Sequence, residues 1–149
     1  MELVENDPLD VAKIGQLISG KDDLFLVWPD AKFPFDSQEW ERLFREDIRN
    51  KSFFAYENGV LIGHAALFAK SESSVYGVAF MFISETYRSR GAGEEMLRLL
   101  EELAVNQLHA TKLVLQVRDY NPRAITCYMK RGFQEYQREG TLILMEKLL

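Results

Sequence analysis

Tyr87-Arg88-Ser89-Arg90-Gly91-Ala92-Gly93-Glu94-Glu95-Met96 joins an apolar, strand-like run from Val75 to Ile83 to an amphipathic helix. Two glycines and two arginines sit at the junction. Backbone without a Cβ folds tightly round an anion, and the unpaired N–H groups of a helix's first turn point at it. The helix dipole adds roughly 0.3–1 kcal/mol for an exposed anion, and arginine supplies a fixed charge with planar donors. A strand feeding a phosphate-shaped turn is therefore the feature from which the chain is read. The dinucleotide pattern G-x-G-x-x-G does not fit, because Met96 stands at the third glycine. The Lys-Ser/Thr ending of a P-loop is also missing.

Downstream of the turn, Met96, Leu97, Leu100, Leu103, Ala104 and Leu108 form one apolar stripe, with Glu94, Arg98 and Glu102 on a solvated face. Lys112 to Val117 is β-branched and apolar enough to be a strand. Asn121-Pro122 is a helix cap followed by proline at the first helical position, and Gly132 ends that helix. Asn121, Ala124 and Tyr128 fall at i, i+3 and i+7, so they share one helix face, a phenol with a small residue beside it. Phe133 to Arg138 and Thr141 to Lys147 make a closing hairpin with alternating polarity.

Upstream, Glu2 to Asn6 reads as a short strand, and Asp7-Pro8 as the cap and first position of a helix carrying Val11, Ile14, Leu17 and Ile18. Leu24 to Phe35 holds Phe25, Trp28, Phe33 and Phe35 around Pro29, Asp30 and Pro34, and the prolines exclude a regular helix through the segment. Asp36 with Glu39 resembles a capping box for a helix burying Trp40, Leu43, Phe44 and Ile48. Ser52 to Glu57 and Val60 to Phe68 are strands turned by Asn58-Gly59. The order β-α-α-β-β-β-α-β-α-β-β gives a mixed α/β sheet with helices on its faces.

A chain of 149 residues with 47% apolar and 28% charged residues is expected to fold as one domain, residues 1–149. The net charge of −5 argues against a nucleic-acid partner and suits a cationic substrate. One cysteine and two histidines exclude a disulfide framework and a Cys-rich metal site, so no metal is expected. No apolar run is long enough to span a bilayer, so no membrane partner and a cytoplasmic location are the expectation.

Arg88-x-x-Gly91-x-Gly93 after a strand, with Asn121-x-x-Ala124-x-x-x-Tyr128-x-Lys130-x-Gly132-Phe133 downstream, resembles the GNAT superfamily of acetyl-CoA-dependent N-acetyltransferases. The resemblance spans essentially the whole chain. It implies mostly antiparallel N-terminal strands, a central parallel pair that splays open, and helices on both faces. It implies acetyl-CoA as co-substrate, with the pyrophosphate held by Arg88, Ser89, Arg90, Gly91, Ala92, Gly93 and Glu94. Met81, Phe82 and Ile83 would line the pantetheine arm, with Asn121 a further contact, and Tyr128 would protonate the departing thiolate. Without the resemblance, Met81 to Ile83 are apolar core, Asn121 is a cap and Tyr128 is a core tyrosine.

A primary amine, on a small molecule or a peptide, is the implied acceptor, and a homodimer the implied assembly. The amine must lose a proton before it attacks, yet Val75 to Ile83 contains no carboxylate. Glu85, just past that strand where the family often has proline, and His64 on the preceding strand are the candidate bases. Both also have plain readings, a turn residue and a half-buried structural histidine. Trp28 and Asp30 are candidates for drawing in the ammonium group, or belong to a loop pinned by burial. Cys127 replaces a leucine usual in the family and reads as a packing residue. A non-catalytic acyl-CoA-binding sensor or interaction module on the same fold is the rival reading.

Overall fold

Asn58 and Gly59, with left-handed φ of 49° and 80°, turn β2 (Lys51–Glu57) back into β3 (Val60–Ala69). This hairpin sits inside a seven-stranded sheet ordered β1-β2-β3-β4-β5-β7-β6. The remaining strands are β1 (Glu2–Glu5), β4 (Val75–Ile83), β5 (Lys112–Arg118), β6 (Gln134–Glu139) and β7 (Leu142–Leu148). The computed structural model describes residues 1–149. Every neighbouring pair is antiparallel except β4 and β5, which run parallel.

The helices divide between the two faces. The helix α4 (Ala92–Leu108) and α5 (Pro122–Lys130) cover one face, where Met96, Leu97, Leu100 and Tyr128 pack on Phe53, Ile62, Leu67 and Val117. On the other, α1 (Val11–Leu17), α2 (Lys21–Val27) and α3 (Ser37–Phe44) bring Ile14, Leu24, Trp40 and Phe44 onto Phe54, Ala66 and Phe80. Glu101 locks the first face together. Its carboxylate is buried on α4, takes two bonds from Arg131 at 3.0 and 2.7 Å, and meets Lys147 of β7 on its other oxygen.

Three local expectations shift. The first helix begins at Val11, capped by Asp10, whose side chain accepts from the Lys13 N–H at 3.0 Å. An additional helix, α2, enters the aromatic segment at Leu24 and stops at Val27, two residues before Pro29, so no regular helix runs through the prolines. Trp28 is already extended there (φ −146°, ψ 95°), as the residue before a proline prefers. Ile48 lies past the end of α3 and is 94% exposed, so it takes no part in the core. Asp36 caps α3 as its spacing indicates, accepting from the N–H groups of Gln38 and Glu39.

One irregularity organises the centre. Tyr76 and Val78 of β4 face α4, as alternation requires, but Phe80 and Phe82 face α1–α3. Phe80 has φ of +50°, and the β3 register slips between His64 and Ala66. An inserted residue of this kind is a β-bulge, which bends its strand and inverts the side-chain alternation beyond it. On its other edge β4 pairs with β5 only over Val75–Val78 and Lys112–Leu115. Past those residues the parallel strands have no register, and the sheet is split.

Candidate active site

The split opens into a cleft of about 560 Å³ bounded by the end of β4, the turn after it, α5 and one side of α2. Met81, Phe82 and Ile83 form its strand wall, and Arg88, Ser89, Gly91, Ala92, Gly93 and Glu94 its turn. Ser89 and Gly91 both have left-handed φ, 62° and 77°. That alternation turns successive N–H groups inward, a concavity suited to an anion. Gly91 caps α4 without any side-chain bond, so the first-turn N–H groups remain free for a ligand. A Cβ on Gly93 would lie 3.3 Å from Cys127 Sγ, so the absence of a side chain there lets α4 and α5 approach.

Charge around the turn favours an anion. Arg88, Arg123 and Lys130 all line the cleft. The two carboxylates among them are each matched by a cation: Asp23 lies 3.2 Å from Arg88, and Glu94 3.4 Å from Lys130. Arg90 is exposed, stacks its guanidinium 5.9 Å from the Tyr87 ring, and does not line the cleft.

Asn121, Ala124, Cys127 and Tyr128 present one face of α5 to the same space. Asn121 also caps the helix, with Oδ1 facing the Ala124 N–H at 3.5 Å. The Tyr128 ring is 8% exposed and held edge-on against Phe133 at 5.9 Å. Its hydroxyl has no protein partner, and Trp40 Nε1 is the one sealed side-chain polar atom left unpaired. The phenol oxygen therefore opens onto the cleft. Burial, with a smaller contribution from Cys127, raises its pKa, so the proton stays on throughout neutral pH. Burial first, and then Glu94, push the Cys127 thiol up to about 11, so it stays protonated at neutral pH.

A wider groove of about 1000 Å³ lies beyond the split, across β4, β5 and β7. Leu26, Val27, Met81, Asn121, Ala124 and Tyr128 belong to both spaces, so the cleft and the groove meet at the phenol. Trp28 and Asp30 line the groove, not the cleft. Trp28 is half-buried against Trp40 and Phe80 at 5.2 and 5.4 Å, whereas Asp30 is exposed.

Neither candidate base reaches the meeting point. Glu85 is exposed in a 3-10 turn (Glu85–Tyr87) and lines neither space. His64 is sealed from solvent with both ring nitrogens bonded, to Ser52 and to the Phe80 carbonyl, and lines neither space. Sequence reasoning missed Asp23, Arg123 and Lys130 as wall residues. Lys130 follows Tyr128 by two and lies in the quoted motif. Arg123 stands in the first turn of α5, and nothing local marks Asp23. No group of three or more His, Cys, Asp or Glu side chains is placed to hold a metal ion, and no helix is long and apolar enough to cross a membrane.

Residues 21–133 match the acetyltransferase (GNAT) family. An aminoglycoside N(6')-acetyltransferase type 1 of Klebsiella pneumoniae is 29% identical over 101 residues, 60% of this chain and 49% of that protein. A kanamycin resistance protein of Rhizobium radiobacter is 32% identical over 73 residues, covering 49% of this chain and 65% of the relative. The chain thus spans about half the length of the first curated relatives it matches. Spermidine N-acetyltransferase from Vibrio cholerae, solved with CoA and spermine, superposes with a TM-score of 0.79 at 19% identity, over 99% of this chain and 94% of that one. AAC(6')-Ib, solved with ribostamycin and coenzyme A, gives a TM-score of 0.82 at 21% identity, over 98% and 92%. Likeness at these identities establishes the fold.

Proposed function

The chain belongs to the acetyltransferase (GNAT) family, to which residues 21–133 match, and from that premise we propose an N-acetyltransferase that moves an acetyl group from acetyl-CoA to a primary amine. The carrying observation is the junction of two spaces at Tyr128, an anion-shaped cleft on one side and an open groove on the other. The residues present fit the co-substrate: left-handed Ser89 and Gly91 shape a cradle, and Gly93, without a side chain, lets α5 close in beside it. In this reading the turn from Arg88 to Glu94 holds the pyrophosphate and Arg123 adds an unpaired cation. Met81 to Ile83, with an edge that β5 leaves unpaired, offer backbone groups to the pantetheine amides.

Acetyl-CoA supplies an activated thioester. The chain supplies alignment, dryness and a proton. The groove delivers a neutral amine to the split between β4 and β5, direct attack follows, and the Tyr128 hydroxyl gives its proton to the departing sulfur. A raised phenol pKa loads that proton but resists its release. Desolvation acts on a departing thiolate in the same direction, raising its affinity for that proton. With Glu85 and His64 away from the junction, we assign deprotonation of the ammonium to water reached through the groove.

Free-thiol release from acetyl-CoA across an amine panel tests the reading. Aminoglycosides and spermidine head the panel, since relatives named for them share the family or the fold, followed by peptides with free N-termini. Saturable turnover on at least one amine supports the enzyme. Tight acetyl-CoA binding with no turnover on any amine replaces it with the sensor reading.

A further inference from the structure

His64 is a buried titratable residue that the proposed transfer leaves idle. Its Nδ1 lies 2.9 Å from the carbonyl oxygen of Phe80, and its Nε2 2.7 Å from Ser52 Oγ. A carbonyl can only accept, so Nδ1 carries a proton. Burial keeps the imidazole neutral, with its pKa pushed down to about 4 against the weaker opposing effect of the Phe80 bond. Nε2 is therefore bare, and the Ser52 hydroxyl donates to it. Ser52 Oγ in turn accepts from Asn6 Nδ2 at 3.2 Å. The Asn6 amide cannot be reversed, because its Oδ1 takes the Asp10 N–H at 2.9 Å while Nδ2 also reaches the Asp10 carbonyl at 3.2 Å. Each donor in this four-residue relay has one direction, from Asn6 through Ser52 and His64 to Phe80.

The relay ends on the bulge that splits the sheet. A left-handed φ of +50° is unfavourable for a bulky aromatic residue, so other contacts must hold it. The Phe80 ring is one restraint, packed at 4.4 Å from Trp40 and 5.5 Å from Phe68. The bond from His64 is the other, and it acts on the peptide rather than the ring. In a trans peptide the N–H points opposite to the C=O. Aiming the Phe80 carbonyl at His64 therefore aims the Met81 N–H away from it, and Met81 lines both the cleft and the groove.

We propose that His64 is a positioning residue for acyl transfer, whose Nδ1–H bond to the Phe80 carbonyl fixes the orientation of the Phe80–Met81 peptide at the split between β4 and β5. It touches neither substrate. The kinetic consequence rests on the acetyltransferase reading, whereas the hydrogen-bond assignment does not.

The test has two arms. Imidazole ¹⁵N NMR of the wild-type protein at pH 7 is expected to show His64 as the neutral Nδ1–H tautomer. An Nε2–H tautomer overturns the proposal, whether or not any amine is acetylated. The kinetic arm compares two amides. His64→Asn places an NH₂ close to the position of Nδ1 and retains the bond to Phe80, while His64→Gln reaches toward Ser52 and loses it. His64→Gln is expected to lower kcat roughly 10- to 100-fold and to leave the KM for acetyl-CoA within about two-fold. His64→Asn is expected to keep kcat within about three-fold of wild type although it too gives up the Ser52 bond. Equal losses in both variants, or losses that follow Tm, would make His64 a packing residue only. If no amine is turned over by the wild type, the acetyltransferase reading fails, and the NMR arm alone decides the hydrogen-bond assignment.

Discussion

Arg88 and Asp23 are joined across the mouth of the cleft, with guanidinium Nη2 3.2 Å from Asp23 Oδ1. The Nε of the same group donates to the Ile83 carbonyl at 2.7 Å, and its Cζ lies 5.2 Å from the Phe82 ring centroid. One side chain thus ties α2, which borders the groove, to the turn proposed to hold the pyrophosphate. Asp23 also brings a negative charge to the wall of an anion site.

Two effects of Asp23→Asn therefore act in the same direction. The substitution frees donors on Arg88 and removes a repulsive charge. Because the pair is partly exposed, the gain is expected to be modest, about 0.5–1 kcal/mol or roughly two- to five-fold tighter coenzyme A binding. Calorimetry at low and high salt checks it, with the difference shrinking as ionic strength rises. Weaker binding in the variant would instead mean that Asp23 holds Arg88 in its working position.

Tyr128→Phe removes only the oxygen at which the two spaces meet. The ring still packs on Phe133, so stability should change by less than about 1 kcal/mol. Turnover should fall by roughly 10²- to 10⁴-fold, while acetyl-CoA affinity stays near wild type. Steady-state kinetics beside a binding isotherm separates the two, and unchanged turnover removes Tyr128 as the acid.

Gly91→Val tests the turn. A Cβ at Gly91 meets nothing within 4 Å, so the cost comes from φ of +77° rather than from collision. A β-branched residue there is expected to cost about 1–2 kcal/mol in backbone strain or to flatten the turn, weakening coenzyme A binding at least tenfold. Wild-type affinity in a titration of the folded variant would argue strongly against the cradle.

The pH dependence of stability follows from His64. Its pKa is about 4 in the folded chain against 6.5 when unperturbed. Between those values the unfolded chain binds more protons, so stability rises with pH. The contribution is complete above pH 6.5 and is lost as the pH falls toward 4. The slope should reach at most about 1.4 kcal/mol per pH unit. Urea midpoints at pH 7 and pH 5 are expected to differ in the wild type and to differ less in His64→Asn. An identical difference in both would assign the acid sensitivity to other groups.

The relation between sequence and structure differs from element to element. The glycine turn, the capped starts at Asp36 and Asn121 and the Asn58-Gly59 hairpin are all written in residues a few positions apart. Caps and left-handed turns depend on the local backbone alone, so they were legible. The shape of the turn after β4 was legible for the same reason. The helix α2 was obscured because Pro29 and Pro34 dominate its neighbourhood, although α2 ends at Val27, before the first of them. His64 looked half-buried by strand parity and is sealed, because helix α3 lays Phe44 over it, 6.2 Å away between ring centres.

By itself the sequence determined where chain direction changes, which faces of α1, α3, α4 and α5 are apolar, and which residue types stand at the glycine turn and along one face of α5. Tertiary structure alone decided where the sheet splits, since the bulge residue is a phenylalanine with no local mark of left-handed geometry. That geometry is imposed by a histidine 16 positions earlier and by aromatic rings from other elements. Tertiary structure also placed Asp23 against Arg88, 65 positions away. Local propensity sets backbone preferences over a few residues, whereas the shape of a gap between strands depends on contacts that exist only once the chain has closed.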